Sequence, residues 1–496
     1  FGHNPTKFRF LPSRSLCTGL EAQFTNQEIA SISCYKTGCI DKDRFSSCES
    51  SAVEREMAIA AKLLGIVSII YLIATSQARE YNCSYDEDMR WCVFRGVQLK
   101  SPSQFAAASF SAPGEPPLNV KFELSSLTAM PTGLFQVFPD VEQFDASFSG
   151  MKNLSKGSFA TANNVREVYL HGNKIQRLEN DLFEGATRIT NFGASLNNIN
   201  EIQENAFNGL SQLTDLKLDN NHITKLPNGT FTPLTSLKSV DLQHNSLSKI
   251  DDSIFENCTY LVSLNVSHNG LHKFELKQFH REWPVDSIDI SFSQLKAVSI
   301  PNNLKQLFAS NNQLQSVHVL GKDPQLYNLC LSHNKLTSLE QILSFKKLLI
   351  LDLSYNAIDT LDFRSVMNFK SLMVLKLDGN RLSTLSNSLD MDTYLINLRY
   401  IHLSHNQLTQ LNLDVLRTVP RIMKLDLSYN RLTELQAKGI RDNFPIMGRL
   451  MIEGNDFMCD KIPALAKDLK YATTIYQVTV DQCKRGQRLM NGICCS

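Results

Sequence analysis

The stretch Leu213-Thr-Asp-Leu-Lys-Leu-Asp-Asn-Asn-His-Ile223 decides how this chain is read. Around Leu216-Lys217-Leu218 the apolar residues alternate, which predicts a short strand with both leucines on one face and Lys217 on the other. Asn221 follows at the point where the chain must turn. The backbone groups of that turn would be enclosed between neighbouring copies of the unit, and an Asn side chain can both donate to and accept from them. The same pattern returns at Leu237–Leu247, Leu261–Leu271, Leu304–Leu314, Leu326–Leu336, Leu348–Ile358, Leu372–Leu382, Leu398–Leu408 and Ile422–Leu432.

Following the asparagine outward gives Asn173, Asn197, Asn221, Asn245 and Asn269 at intervals of 24 residues, then Asn312, Asn334, Asn356, Asn380, Asn406, Asn430 and Asn455. Ser125, Ser149 and Ser293 hold the same place in three weaker copies, for 15 rungs in all. This is the template of a leucine-rich-repeat solenoid, an α/β horseshoe with a parallel sheet on its concave face. Rungs with Ser are expected to be less regular, because a hydroxyl does only part of the work of an amide. Phe135, Phe159, Phe183, Phe207, Phe231, Phe255 and Phe279 also recur every 24 residues and predict an aromatic spine behind the strands. From Ser293 the interval falls to 19 and then 22 residues. Shorter rungs leave less chain for the return, so an extended return segment and a change of curvature are expected over residues 293–356.

Stacked units contact only their neighbours, so a chain of 496 residues need not divide into several globular cores. The 50 Lys+Arg against 49 Asp+Glu give a net charge of +1, which offers no basic surface for nucleic acid. Met57 to Lys62, the apolar run Leu63–Ala74 and the small residues Ser76 and Ala78 read as a signal peptide over 57–78, too short to span a membrane. Residues 1–56, with Cys17, Cys34, Cys39 and Cys48, are then an upstream extension absent from the mature protein. A signal anchor is the rival reading. Sequons at Asn82, Asn153, Asn228, Asn257 and Asn265 all lie downstream and predict an extracellular glycoprotein.

An open solenoid needs capped ends. Cys83 and Cys92 predict an N-terminal disulfide cap over 79–117, before repeats spanning 118–457. Cys459, Cys483, Cys494 and Cys495 predict a C-terminal cap over 458–496, with three pairings open in principle. Cys494 and Cys495, being adjacent, are not expected to pair with each other. Within the repeats, Cys258 reads as a small buried hydrophobe. Cys330 points to the concave face, either as a thiol for an intermolecular disulfide or as one shielded by its neighbours.

No nucleophile, metal or phosphate motif is present, so neither an enzyme nor a metal or cofactor site is expected. His171, His222, His244, His268, His333, His402 and His405 fall in the strand-to-turn segments without metal spacing and read mainly as solvated positions. Asp241, Asp289, Asp352 and Asp426 share one outward column, suited to a basic partner or a cation but read first as a solvated face. Partner binding is assigned to outward residues of the strands: Tyr169, His171, Asp215, Lys217, Asp219, Phe308, Lys376, Tyr400 and His402. A glycan on Asn265 would split that face, so a partner footprint is expected to avoid residues 263–267.

The C-terminal run Cys483-Lys-Arg-Gly-Gln-Arg-Leu-Met-Asn-Gly-Ile-Cys494-Cys495, after Glu453-Gly-Asn-Asp-Phe-Met-Cys459, resembles the cysteine signature of the mosquito leucine-rich-repeat immune proteins. The resemblance covers residues 79–496, and the double cysteine is its specific part. It implies a secreted haemolymph protein of innate immunity. The implied partner is a complement-like thioester protein or another leucine-rich-repeat protein, with no membrane span in the mature chain. Longer family members continue into a coiled coil, so this chain is expected to be a coil-less or truncated member. A receptor or adhesion ectodomain is the alternative.

Overall fold

The computed structural model describes residues 79–251, 253–275, 283–388, 394–470, 474–475 and 483–496. The upstream extension, the signal peptide and Phe279 lie outside these residues. Among the described residues the principal sheet contains eighteen strands. Its pairings run in a single line from Ser84–Asp86, through Trp91–Arg95 and Asn119–Glu123, to Arg449–Met451 and Thr474–Ile475, so the sheet is open at both ends. The pair between Ser84–Asp86 and Trp91–Arg95 is antiparallel, and every later pairing in the sheet is parallel. Most rungs contribute three strand residues, typified by Asp215-Leu216-Lys217, with the centre buried and its neighbours facing out, while the rung of Ser125 contributes the five of Asn119–Glu123. The expected solenoid is therefore the fold.

The asparagine ladder works through a fixed set of bonds. Asn197 donates from Nδ2 to the carbonyls of Leu170 at 2.9 Å and Ala194 at 3.1 Å, and its Oδ1 accepts the N–H of Ile175 at 3.1 Å. Two rungs are thereby tied through one buried side chain. The serine rungs correct the expectation of irregularity. Leu124, Phe148 and Phe292, which precede the three serines, take φ of 50°, 57° and 54°, the same left-handed turn found at His244 and Tyr355. Leu127 N–H reaches the Ser149 carbonyl directly at 2.7 Å, and Ser125 Oγ accepts from Val97 N–H at 3.1 Å. Backbone bonds between rungs preserve the turn where the amide is missing.

Behind the strands, Phe159 and Phe183 stack with ring centres 5.2 Å apart, followed by Phe207 and Phe231 at 6.1 Å, and Phe231 and Phe255 at 5.4 Å. The short rungs differ. Ala297–Pro301 pairs in parallel with Ser316–Leu320 over five residues, so the return is extended as expected. Strands on both faces hold neighbouring rungs at roughly 4.8 Å on each side, the local condition for reduced curvature. The third short rung instead carries the 3₁₀ turn Glu340–Ile342. Elsewhere the return combines shorter parallel pairs of two or three residues, such as Thr360–Asp362 with Thr384–Ser386, with brief turns such as Phe363–Val366 and Leu413–Leu416.

Disulfides close both ends. Cys83 is joined to Cys92 across the first hairpin. At the other end the pairs are Cys459–Cys495 and Cys483–Cys494, which selects one of the three pairings. The helix Ile462–Leu469 buries Ile462, Leu465 and Leu469 beside this cap. Cys258 is fully buried, and burial pushes its thiol up to about 12.

Candidate interaction face

The concave surface is set by what each strand residue must do for the backbone. Two residues beyond each strand centre's outward neighbour stands an N–H that the parallel ladder does not use. Asp145, Asp241, Asp289, Asp352 and Asp426 accept this N–H, from Ser147, Gln243, Ser291, Ser354 and Ser428, at 2.9–3.1 Å. Asn265 does the same for Ser267 at 3.1 Å. The aspartate column is thus a set of strand caps, which corrects the reading of a merely solvated face. Asp426 is only 7% exposed, and its Oδ1 also accepts from Ser428 Oγ at 2.5 Å.

Where the column residue lacks a suitable oxygen, the preceding rung supplies the acceptor. Gly193 has no side chain, and Ser195 N–H donates to Nδ1 of His171 at 3.2 Å. At Phe308 the acceptor for Ser310 is Ser291 Oγ at 3.2 Å, and at His402 the acceptor for Ser404 is Asp378 Oδ1 at 3.0 Å. Gly193 has a second use, because a Cβ there would overlap the His171 ring.

The outward residues singled out by sequence all lie on this face, in three groups. Tyr169 stacks on His171 with ring centres 5.8 Å apart and donates its hydroxyl to Glu167 at 2.9 Å. Burial, reinforced by Glu167, raises Tyr169 to about 12, and burial lowers His171. Asp215 and Lys217 share the next strand but one, beyond Asn191–Gly193. Asp219 accepts from Asn220 at 2.8 Å and from Ser195 Oγ. Phe308 is the second group, paired in register with Cys330. Burial first, then Asp352, pushes the Cys330 thiol up to about 11, so the thiolate is scarce at neutral pH and the shielded reading is favoured over a ready intermolecular thiol. In the third group, Lys376 meets Asp352 at 3.5 Å, Tyr400 Oη lies 4.0 Å from Met423 Sδ, and burial followed by Lys424 lowers His402.

Sequence reading missed a ridge along the edge of this face. The residue before each ladder Asn or Ser takes positive φ, and it is often a ring. His244, His268 and Phe292 stack at 4.0 Å and 4.0 Å, His333 on Tyr355 at 4.3 Å, and His405 on Tyr429 at 4.5 Å. These histidines were read as solvated positions, but their rings face those of adjacent rungs because rung spacing is close to stacking distance. Gly172, Gly379 and Gly454 occupy the same column, and a Cβ at each would strike the ring of Phe148, Tyr355 or Tyr429. The visible signal was the recurrence of His, Phe or Tyr immediately before the ladder residue.

Sheet, ladder and capped ends define a leucine-rich-repeat solenoid, an architecture that serves as a protein-binding scaffold. A model of BspA-type leucine-rich-repeat regions matches residues 152–285 and 231–349, and a leucine-rich-repeat model matches 324–382 and 393–443. Within this class, the fold is similar to the crystal structure of the APL1 leucine-rich-repeat domain, with TM-score 0.64 and 24% identity over 84% of this chain and 99% of that one. The LRIM1/APL1C complex gives 0.64 and 23% over 84% of this chain and 71% of that one. These neighbours are mosquito immune leucine-rich-repeat proteins. A leucine-rich-repeat protein of Leptospira interrogans gives 0.55 and 20% over 77% and 93%. No curated protein matches the sequence. Among the described residues, no helix is long and apolar enough to cross a membrane.

Proposed function

We propose that the chain is a secreted scaffold of innate immunity that holds a protein partner against its concave face and the aromatic ridge beside it. The observation that carries this is the ridge itself. Phe148 is 72% exposed and Tyr429 52%, yet their rings lie over Gly172 and Gly454. Apolar rings held in place on a rigid sheet lose little entropy on binding, which suits protein recognition. Tyr169, His171, Asp215, Lys217, Asp219, Phe308, Lys376, Tyr400 and His402 supply the adjoining polar and aromatic contacts.

The first partner proposed is a second leucine-rich-repeat chain, since one similar structure is itself the LRIM1/APL1C complex. A complement-like thioester protein or a pathogen surface is the further partner, with haemolymph as the compartment. Glycans at Asn82, Asn153, Asn228, Asn257 and Asn265 belong to this reading. At Asn265, Oδ1 is turned to Ser267 N–H and Oγ, which leaves the glycan-accepting Nδ2 for the concave side. The test is cross-linking mass spectrometry of the glycosylated chain, recovered from insect-cell medium, with purified leucine-rich-repeat and thioester proteins. Cross-links are expected on the concave face and ridge, away from residues 263–267. A footprint on the Phe-lined convex side, or retention of the chain inside the cells, would overturn the proposal.

A further inference from the structure

Asp378, His402 and Asp426 come from three successive rungs and meet on the concave face. One ligand-type atom from each lies within 4.8 Å of the other two. His402 and Asp426 are partners in strand register, and Asp378 stands just beyond Lys376, the register partner of His402 on its other side. We propose that these three side chains bind a divalent transition-metal ion of the zinc class.

The donor set is the first support. One imidazole and two carboxylates are the nitrogen and oxygen ligands that zinc takes, and three protein ligands leave a position open to water. The second support is Asp426. It is 93% buried by its 7% exposure, and Ser428 holds its Oδ1 from both N–H and Oγ. Its Oδ2 makes no hydrogen bond among the described residues. With Oδ1 held in this way, Oδ2 is the oxygen left to face a cation, on a carboxylate already fixed in place. The His402 ring likewise makes no hydrogen bond among the described residues, so both nitrogens are available.

The required movement is small. Ligands about 2.1 Å from one tetrahedral ion lie roughly 3.4 Å apart. Side-chain rotation of His402 and Asp378 can close the remaining gap while Ser428 fixes Asp426. Asp378 keeps its role as acceptor for Ser404 through Oδ1, whose two lone pairs are taken, and offers the ion Oδ2, which holds only a long bond from Ser354 Oγ at 3.4 Å. Two lysines stand near. Lys376 is drawn toward Asp352 at 3.5 Å, and Lys424 is the stronger of the two cations that act on His402 and oppose the ion.

The test is isothermal titration of the chelator-treated full chain with zinc chloride, with cobalt(II) as the visible-absorption probe of coordination. One saturable equivalent is expected. His402→Gln should weaken it at least about ten-fold, while Lys424→Gln should tighten it. His402→Gln removes no hydrogen bond of the described fold, so an unchanged melting curve without metal shows that the variant is folded. His244→Gln, on the ridge, should leave zinc affinity unchanged. No saturable uptake, uptake indifferent to His402→Gln, or uptake weakened equally by His244→Gln would overturn the proposal.

Discussion

Rungs Asn173 to Asn269 and rungs Ser293 to Asn334 present the same concave strand but close behind it in different ways. In the long rungs from Asn173 to Asn245 a phenylalanine from each return segment fills the interior, as Phe183, Phe207 and Phe231 do. In the rungs of Ser293 and Asn312 five-residue strands close the core with aliphatic side chains such as Val298, Ile300 and Val317, while the 22-residue rung of Asn334 still buries a ring, Phe345. The difference teaches that the strand and its turn are the invariant unit. The return segment is interchangeable, provided that it buries apolar surface and satisfies its own backbone.

The comparison can be broken first at its aromatic half. Phe207→Ala should cost about 3–5 kcal/mol in denaturant unfolding, because it leaves a cavity between two rings. A cost below about 1 kcal/mol would show that the spine is filler. Next comes the ladder common to both regions. Asn221 holds the carbonyls of Ala194 and Leu218 at 3.0 Å each and accepts from Ile199 at 2.9 Å. Its replacement by Ala should cost about 2–4 kcal/mol by stranding these buried groups. Ser293→Ala, which removes one bond of 3.3 Å to the Asn269 carbonyl, should cost about 1 kcal/mol or less by the same measurement.

Ile300→Val probes the aliphatic closure and should cost about 1 kcal/mol. The smallest effect is a pH dependence where the two regions join, at the stack of His244, His268 and Phe292. Burial first, then His244, lowers His268 from its ordinary 6.5. The unfolded chain therefore binds more protons than the folded one between 6.5 and the lower folded value. Stability is full above that window, falls as pH drops through it, and levels off below. Thermal melts across this range should show the decline, and His268→Phe should remove it. A decline that persists in His268→Phe would place its origin outside the stack.

Much of this was legible in the sequence. The position of Asn221 fixed its role, because a turn enclosed between copies needs an amide, and the alternation at Leu216-Lys217-Leu218 assigned the two faces. Serine misled, since the hydroxyl suggested a weakened turn. The left-handed residue before it and the direct bond from Leu127 to Ser149 lie in the backbone, which residue type does not report. The histidines misled for another reason. As isolated side chains near a turn they read as solvated, and only the repeat spacing stacks His333 on Tyr355 and His405 on Tyr429.

The sequence by itself determined the rungs, the inward and outward faces, and the cysteines that cap the ends, because each depends on residues close together in the chain. Tertiary structure decided which of the three cysteine pairings forms and which outward residues meet. Asp378, His402 and Asp426 are separated by 24 residues each. Yet Asp378 stands two residues before its ladder asparagine, while His402 and Asp426 stand four before theirs. The 26-residue interval from Asn380 to Asn406 makes up the difference. Proximity across rungs depends on the length of every return segment between them, and that sum is settled only when the rungs are stacked.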